Sequence, residues 1–282
     1  MSRMSQSAGR GDGWSWVAWH HDYDVPGSPL AQRLAAVQAQ IAAALDQAPP
    51  GPLRAVSLCA GQGRDLIGVL AGHPRGHDVT ARLVELDPDN AATARELAAA
   101  AGLPRVEVVL ADAAEPAAYA GLVPADLVLA CGVFGNIPDE DIRRTIQCLP
   151  QLCAAGGTVI WTRGRWAPDL IPQICAWFGA QGFEPLWVSD PALPFGAGAH
   201  RFTGTPAPLA TGPRMFTFMT DAEIRQARGL PPRQCAEPAD PEPAGRGPEP
   251  AGRGPEPAGR GPEPAGRGPE PAGRGPEPAE PS

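Results

Sequence analysis

The side chains that could do chemistry begin at a turn. Residues 55–65 read Ala-Val-Ser-Leu-Cys-Ala-Gly-Gln-Gly-Arg-Asp, an apolar strand (Val56, Leu58) running into the small-residue turn Cys59-Ala60-Gly61-Gln62-Gly63 and a helix start at Arg64-Asp65. Gly61 and Gly63 can take backbone angles closed to other residues, and their missing Cβ atoms let a ligand touch the main chain. The helix N-terminus aims free N–H groups at whatever lies over the turn. Glu85 stands 22 residues after Gly63, in the apolar run Val79–Leu86, where a strand-end carboxylate can accept both hydroxyls of a ribose. Asp112 follows a third run, Val106–Leu110, where it could accept from an adenine amino group. Strand, turn, helix and acid together describe a nucleotide-type cofactor site.

Other chemistry-bearing residues carry weaker patterns. His20-His21-Asp22-Tyr23-Asp24 invites a metal, but adjacent histidines rarely face one ion and no second ligand cluster exists, so no metal is expected. Asp65 should complement the helix dipole, and Asp87 should cap the next helix with Pro88 just inside it. Asn136, Arg163, Arg165 and His200 follow strands, or lie in a Pro/Gly-rich stretch, on the side where such sheets bind ligands.

The elements that must position these residues can be read from periodicity. Residues 1–18 are polar and Gly/Ser-rich and read as disordered; Ser28 and Pro29 then open a helix with Leu30, Leu34, Val37, Ile41 and Leu45 on one face. Pro49-Pro50-Gly51 ends this N-terminal cap, residues 19–50. Strands are expected at Ala55–Ala60, Val79–Leu86, Val106–Leu110, Asp126–Cys131, Thr158–Thr162, Phe183–Val188 and Arg214–Met219. Helical stretches separate the first six, which implies βαβ units and a parallel sheet. Residues 189–213 read as an excursion without a helix, so the seventh strand, at 214–219, should lie antiparallel. The expected fold is α/β: a Rossmann-like doubly wound seven-stranded sheet with its last strand antiparallel, over residues 51–222. Residues 223–282 read as a disordered tail, in which Pro-Glu-Pro-Ala-Gly-Arg-Gly repeats five times from Pro241 to Gly275.

Composition excludes several function classes. The net charge of −8 falls mostly outside residues 241–282, which hold seven Glu and five Arg, so a broad nucleic-acid surface is not expected. All 23 cationic residues are Arg, which removes lysine nucleophile and Schiff-base chemistry. The six cysteines form no CxxC pair, and Cys59, Cys131 and Cys175 sit in apolar segments, as reduced thiols of a cytoplasmic protein would. No export signal and no membrane-length apolar run are visible, so no membrane partner is expected.

Which nucleotide is decided by the third position. A dinucleotide turn needs a small residue where this chain has Leu66, or Arg64 in the frame from Cys59, and a P-loop needs Gly-Lys-Ser/Thr. Neither is present. The small-x-Gly-x-Gly turn, Glu85, Asp112, the run Asp126–Cys131 into Gly132-Val133-Phe134-Gly135-Asn136, and Ala155-Gly156-Gly157 before the fifth strand form an ordered series. That series resembles the class I S-adenosylmethionine-dependent methyltransferases over residues 53–219. The resemblance implies S-adenosylmethionine held by Cys59, Ala60, Gly61, Gly63, Glu85, Leu86, Asp112, Ala113 and Cys131. It implies a lid before the first strand, with Tyr23, Asn136, Arg163 and His200 reaching a small-molecule acceptor, and His20 or Tyr23 as a base. Catalytic residues stay unassigned. The chain departs from the pattern at Ser57, where an acid is usual, and at Cys59, where glycine is usual; Cys59 is expected to keep ordinary φ. A non-catalytic cofactor-binding protein and a nicotinamide-dependent oxidoreductase are the alternatives.

Overall fold

Ser28 opens the first helix as its side chain dictates, its Oγ accepting from the Ala31 N–H at 3.0 Å, with Pro29 in the first turn. In this computed structural model, which describes residues 21–210 and 212–231, helix α1 runs Pro29–Gln47 and buries Val37, Ile41 and Leu45. The strands are β1 (Leu53–Leu58), β2 (Val79–Glu85), β3 (Val106–Leu110), β4 (Ala125–Ala130), β5 (Cys153–Gly164), β6 (Phe183–Val188) and β7 (Phe195–Phe202). Helices α2 (Leu66–Leu70), α3 (Pro88–Ala100), α4 (Asp139–Leu152) and α5 (Ile171–Ala180) follow β1, β2, β4 and β5, and α6 (Asp221–Ala227) comes last. Asp87 caps α3 as expected, its Oδ1 accepting from Asp89 at 3.0 Å and Asn90 at 2.9 Å.

The seven strands order as β3-β2-β1-β4-β5-β7-β6. The first five pair in parallel, and β7 runs antiparallel between β5 and β6. One face of the sheet packs with α4 and α5 around Phe134, Ile142, Trp161 and Phe178; the other packs with α1, α2 and α3 around Ile41, Leu66, Leu83 and Ala94. All strand C-termini of the parallel part therefore open on one edge, where ligands of such sheets bind.

The antiparallel strand is real but lies elsewhere than expected. The structure forms it from Phe-Gly-Ala-Gly-Ala-His-Arg-Phe, inside the stretch read as an excursion. Its glycines look like loop residues, yet they are what lets a central strand sit between large neighbours. A Cβ on Gly198 would stand 2.6–2.8 Å from three atoms of the Trp161 indole. Residues 214–219, the expected strand, are instead an extended strap whose hydrogen bonds go to loops and a helix. Met215 N–H donates to the Ala114 carbonyl (2.8 Å), Thr217 N–H to Asp141 Oδ2 (2.8 Å) and Met219 N–H to the Asn136 carbonyl (2.9 Å). Met215 and Phe216 are buried, which explains the apolar run. Helix α6 carries ordered structure past residue 222, where the tail was expected to begin: Thr220 and Glu223 form a capping box and Ile224 is buried. Residues 1–20 and the Pro241–Gly275 repeats lie outside the described residues.

Candidate functional site

The turn after β1 is built by three left-handed residues. Gly61 (φ 56) and Gly63 (φ 69) adopt positive φ, and so does Cys59, at φ 50. The expectation that Cys59 keeps ordinary φ is corrected: the chain holds a cysteine in the conformation that glycine takes without strain. Gly63 also sits close to its neighbours, since a Cβ there would meet Leu83 Cδ2 at 2.6 Å and Ile67 Cδ1 at 2.7 Å, side-chain ends that would have to shift.

Glu85 ties that turn to the end of β2. Its Oε2 accepts from Gly61 N–H at 2.7 Å, and its Oε1 from Leu86 N–H at 2.9 Å and Asp87 N–H at 2.8 Å. A carboxylate offers about four acceptor sites, so one is left. Burial pushes the Glu85 carboxyl above its ordinary value, against the three N–H donors that pull it down. Leu86 beside it is more than half exposed, at 55%. Asp112 ends β3's loop with Oδ1 on Ala114 N–H (2.9 Å) and Oδ2 on Arg214 (2.7 Å). Ala113 is buried and its carbonyl accepts from Tyr119 Oη at 2.8 Å. Cys59, Ala60 and Cys131 are partly buried, and burial holds both thiols well above the ordinary thiol range, so they stay neutral.

The segment before β1 packs over the turn. Arg64 is paired with Asp24 at 2.6 Å, and Gln38 Nε2 donates to the Arg64 carbonyl at 3.0 Å. Arg33 Nη2 donates to Tyr23 Oη at 2.7 Å. Burial keeps the Tyr23 phenol protonated and raises Asp65, the α2 cap, above the usual carboxylate value. Asp65 and Cys131 both lie close enough to Tyr23 and to Arg33 to interact electrostatically, which makes one cluster of all four.

At the ends of β4 and β5 lies a cavity of about 410 Å³, walled by α1, the residues after β4, the end of β5 with Arg165 and Trp166, the start of β7, and the α6 region. Asn136 and Arg163 line it, as expected of substrate-side residues; Tyr23 and His200 do not. His200 is corrected: it is a β7 residue with no exposure, accepting from Trp161 Nε1 at 3.1 Å and stacked on Phe178 at 4.4 Å, because the supposed loop is a core strand. Arg33, Trp166 and Arg228 line the cavity and were missed. For α6 the Thr220-x-x-Glu223 capping box was a signal that could have found it; for Trp166 no local signal exists.

A family described as "Putative methyltransferase" matches residues 16–178, more than half of the chain. The chain belongs to that methyltransferase family. Among curated proteins, the uncharacterized protein YnbC of Escherichia coli K12 is 29% identical over 121 residues, 42% of this chain and 20% of its own length. The chain thus spans about a fifth of that relative. The structure of an O-methyltransferase family protein from Burkholderia thailandensis shares the fold, with a TM-score of 0.51 and 17% identity over 62% of this chain and 56% of the other. The 1,6-didemethyltoxoflavin-N1-methyltransferase of the same organism, solved with 1,6-didemethyltoxoflavin and S-adenosylhomocysteine, aligns over 67% of this chain and 85% of its own, at 17% identity and a TM-score of 0.49. No helix among the described residues is long and apolar enough to cross a membrane.

Proposed function

We propose that this chain binds S-adenosylmethionine over the Cys59–Gly63 turn and transfers its methyl group to a small molecule held in the cavity beyond β4 and β5. The observation that carries the reading is Glu85, a nearly buried carboxylate bonded to the glycine turn with one acceptor site to spare and an exposed Leu86 beside it. A ribose hydroxyl suits that site. Leu86 would cover one face of the base, while Asp112 accepts from its amino group and Cys59, Ala60, Gly61, Gly63, Ala113 and Cys131 line the pocket. Bound there, the cofactor supplies a methyl group on a cationic sulfur that is already a good leaving group. The chain's own part is then chiefly alignment and the exclusion of water. Neutral thiols and a protonated Tyr23 leave no nucleophile in the turn. A base is needed only where the acceptor is a hydroxyl or similarly poor nucleophile.

Residues 51–222, extended by α6, would form the cofactor domain, with residues 19–50 as its cap. The acidic balance favours a small-molecule acceptor over nucleic acid, and five free cysteines among the described residues favour a reducing, cytoplasmic setting. Calorimetry with S-adenosylmethionine and S-adenosylhomocysteine tests the core of this reading. Both should bind wild type, and Glu85→Ala should weaken both by tenfold or more, since a hydrogen bond to a charged group contributes about 1.5–3 kcal/mol. No binding of either, or equal binding by Glu85→Ala, overturns it.

A further inference from the structure

The cavity beyond β4 and β5 is a cationic chamber in an acidic chain. Arg33, Arg163, Arg165, Arg225 and Arg228 line it against one carboxylate, Asp221, although the net charge is −8. Four of the five donate to groups of the chain: Arg33 to Tyr23, Arg165 to Asp169, Arg225 to the Pro231 carbonyl and Arg228 to the Gly135 carbonyl. Arg163 differs. It is only 5% exposed, and its Nε and Nη1 have no hydrogen-bond partner among the described residues. Its paired carboxylate, Asp139 Oδ1, stands 3.6 Å from Nη2, too far for a hydrogen bond.

Trp166 explains how that guanidinium is held. Arg163 lies over the indole at 4.3 Å and Arg228 at 4.4 Å. Both guanidinium groups thus share the one indole. The ring seats there because Gly164 has no side chain; a Cβ on it would come within 2.1 Å of Trp166 Cζ3. The indole offers the guanidinium charge a π face but no lone pair that its in-plane N–H donors Nε and Nη1 could use. They remain unspent, and a buried donor without a partner is costly.

We infer that this cavity takes an acceptor bearing a carboxylate or phosphate, gripped by the in-plane N–H groups of Arg163, whose guanidinium lies over Trp166. A planar fork matches either oxyanion with two parallel bonds. The inference rests on the methyl-transfer reading only in calling the ligand an acceptor. Nε and Nη1 are buried, so side chains beside them must shift as the anion enters.

Calorimetry on the full chain decides, using benzoate, phenyl phosphate and benzamide as probes, each with and without S-adenosylhomocysteine. At least one anion should bind tenfold to a hundredfold tighter than the neutral amide, and the tighter anion identifies the oxyanion. Arg163→Gln should abolish the preference with S-adenosylhomocysteine affinity unchanged, and Arg163→Lys should restore only part of it, because an ammonium lacks the fork. Equal binding of benzamide and both anions overturns the inference, as does a preference that survives in Arg163→Gln. Should that variant fail to fold, the wild-type comparison of acid with amide decides alone. Anion preference without S-adenosylhomocysteine binding would sink the methyl-transfer reading and leave this one standing; the converse result would sink this one only.

Discussion

Position 59 offers a test in which the sign of an effect matters more than its size. Almost anywhere in a chain, glycine is less stable than alanine by about 0.5–1 kcal/mol, because the unfolded chain gains freedom. Cys59 sits at φ 50, where an L side chain costs about 1–2 kcal/mol and glycine costs nothing. Cys59→Gly should therefore exceed Cys59→Ala in stability by about 0.5–1 kcal/mol, the reverse of the usual order. Both variants lack the sulfur, so its partial burial cancels from the comparison. For a domain of this size the difference amounts to a few degrees in Tm. Urea and thermal unfolding of the two full-length variants read it directly. Since Gly61 N–H and Glu85 remain, Cys59→Gly should also bind S-adenosylhomocysteine at least as well as wild type. If Cys59→Ala proves as stable as Cys59→Gly, residue 59 does not carry left-handed strain and the account of the turn is wrong.

Glu85→Gln should destabilise by about 1–3 kcal/mol, because an amide nitrogen replaces an oxygen that accepts from the turn or from β2's end; chemical denaturation reads this apart from any cofactor. Gly198→Ala should cost about 1–3 kcal/mol or more, since the new methyl meets a fully buried indole, while Gly196→Ala should cost less because it meets the flexible end of Ile171. Burial holds the His200 imidazole down at about 4 against an ordinary 6.5. The neutral ring thus contributes stability that is complete above about pH 6.5 and is lost as pH falls toward 4, because the unfolded chain takes up a proton the folded chain refuses. The loss approaches about 3 kcal/mol, and His200→Phe should flatten the slope of stability against pH across that window by up to about 1.4 kcal/mol per unit.

The parallel part of the fold was legible because each of its signals is local. Strand, turn and capping residue follow one another within a dozen positions, as in Leu58 to Asp65 or Glu85 to Pro88, and both stretches fold as their residue types dictate except at Cys59. The antiparallel strand was missed because its sequence obeys its neighbours instead of its own propensity. Phe195–Phe202 is a strand through the closeness of Trp161 and Ile171, which only glycine permits. The apolar run at 214–219 misled for the complementary reason: burial against α4 satisfies Met215 and Phe216 as well as a sheet would, and Asp141 with two loop carbonyls satisfies the backbone.

The acceptor cavity marks the boundary of what local reading can reach. Among the described residues its walls come from five separate stretches, at Pro29–Arg33, Gly132–Asn136, Thr162–Trp166, Pro194–Phe195 and Asp221–Leu230, which no spacing rule connects. Arg163 stands just after the expected strand Thr158–Thr162, inside β5 as it forms, but its chemistry depends on Trp166, whose seat depends on Gly164, and on Arg228 at the end of α6. A guanidinium becomes an oxyanion receptor only when packing removes its other partners, and packing of this kind is a property of the assembled edge. On the proposed reading, the cofactor half of the site would be encoded in a contiguous motif, while acceptor specificity would be spread over separate strand ends, loops and helices.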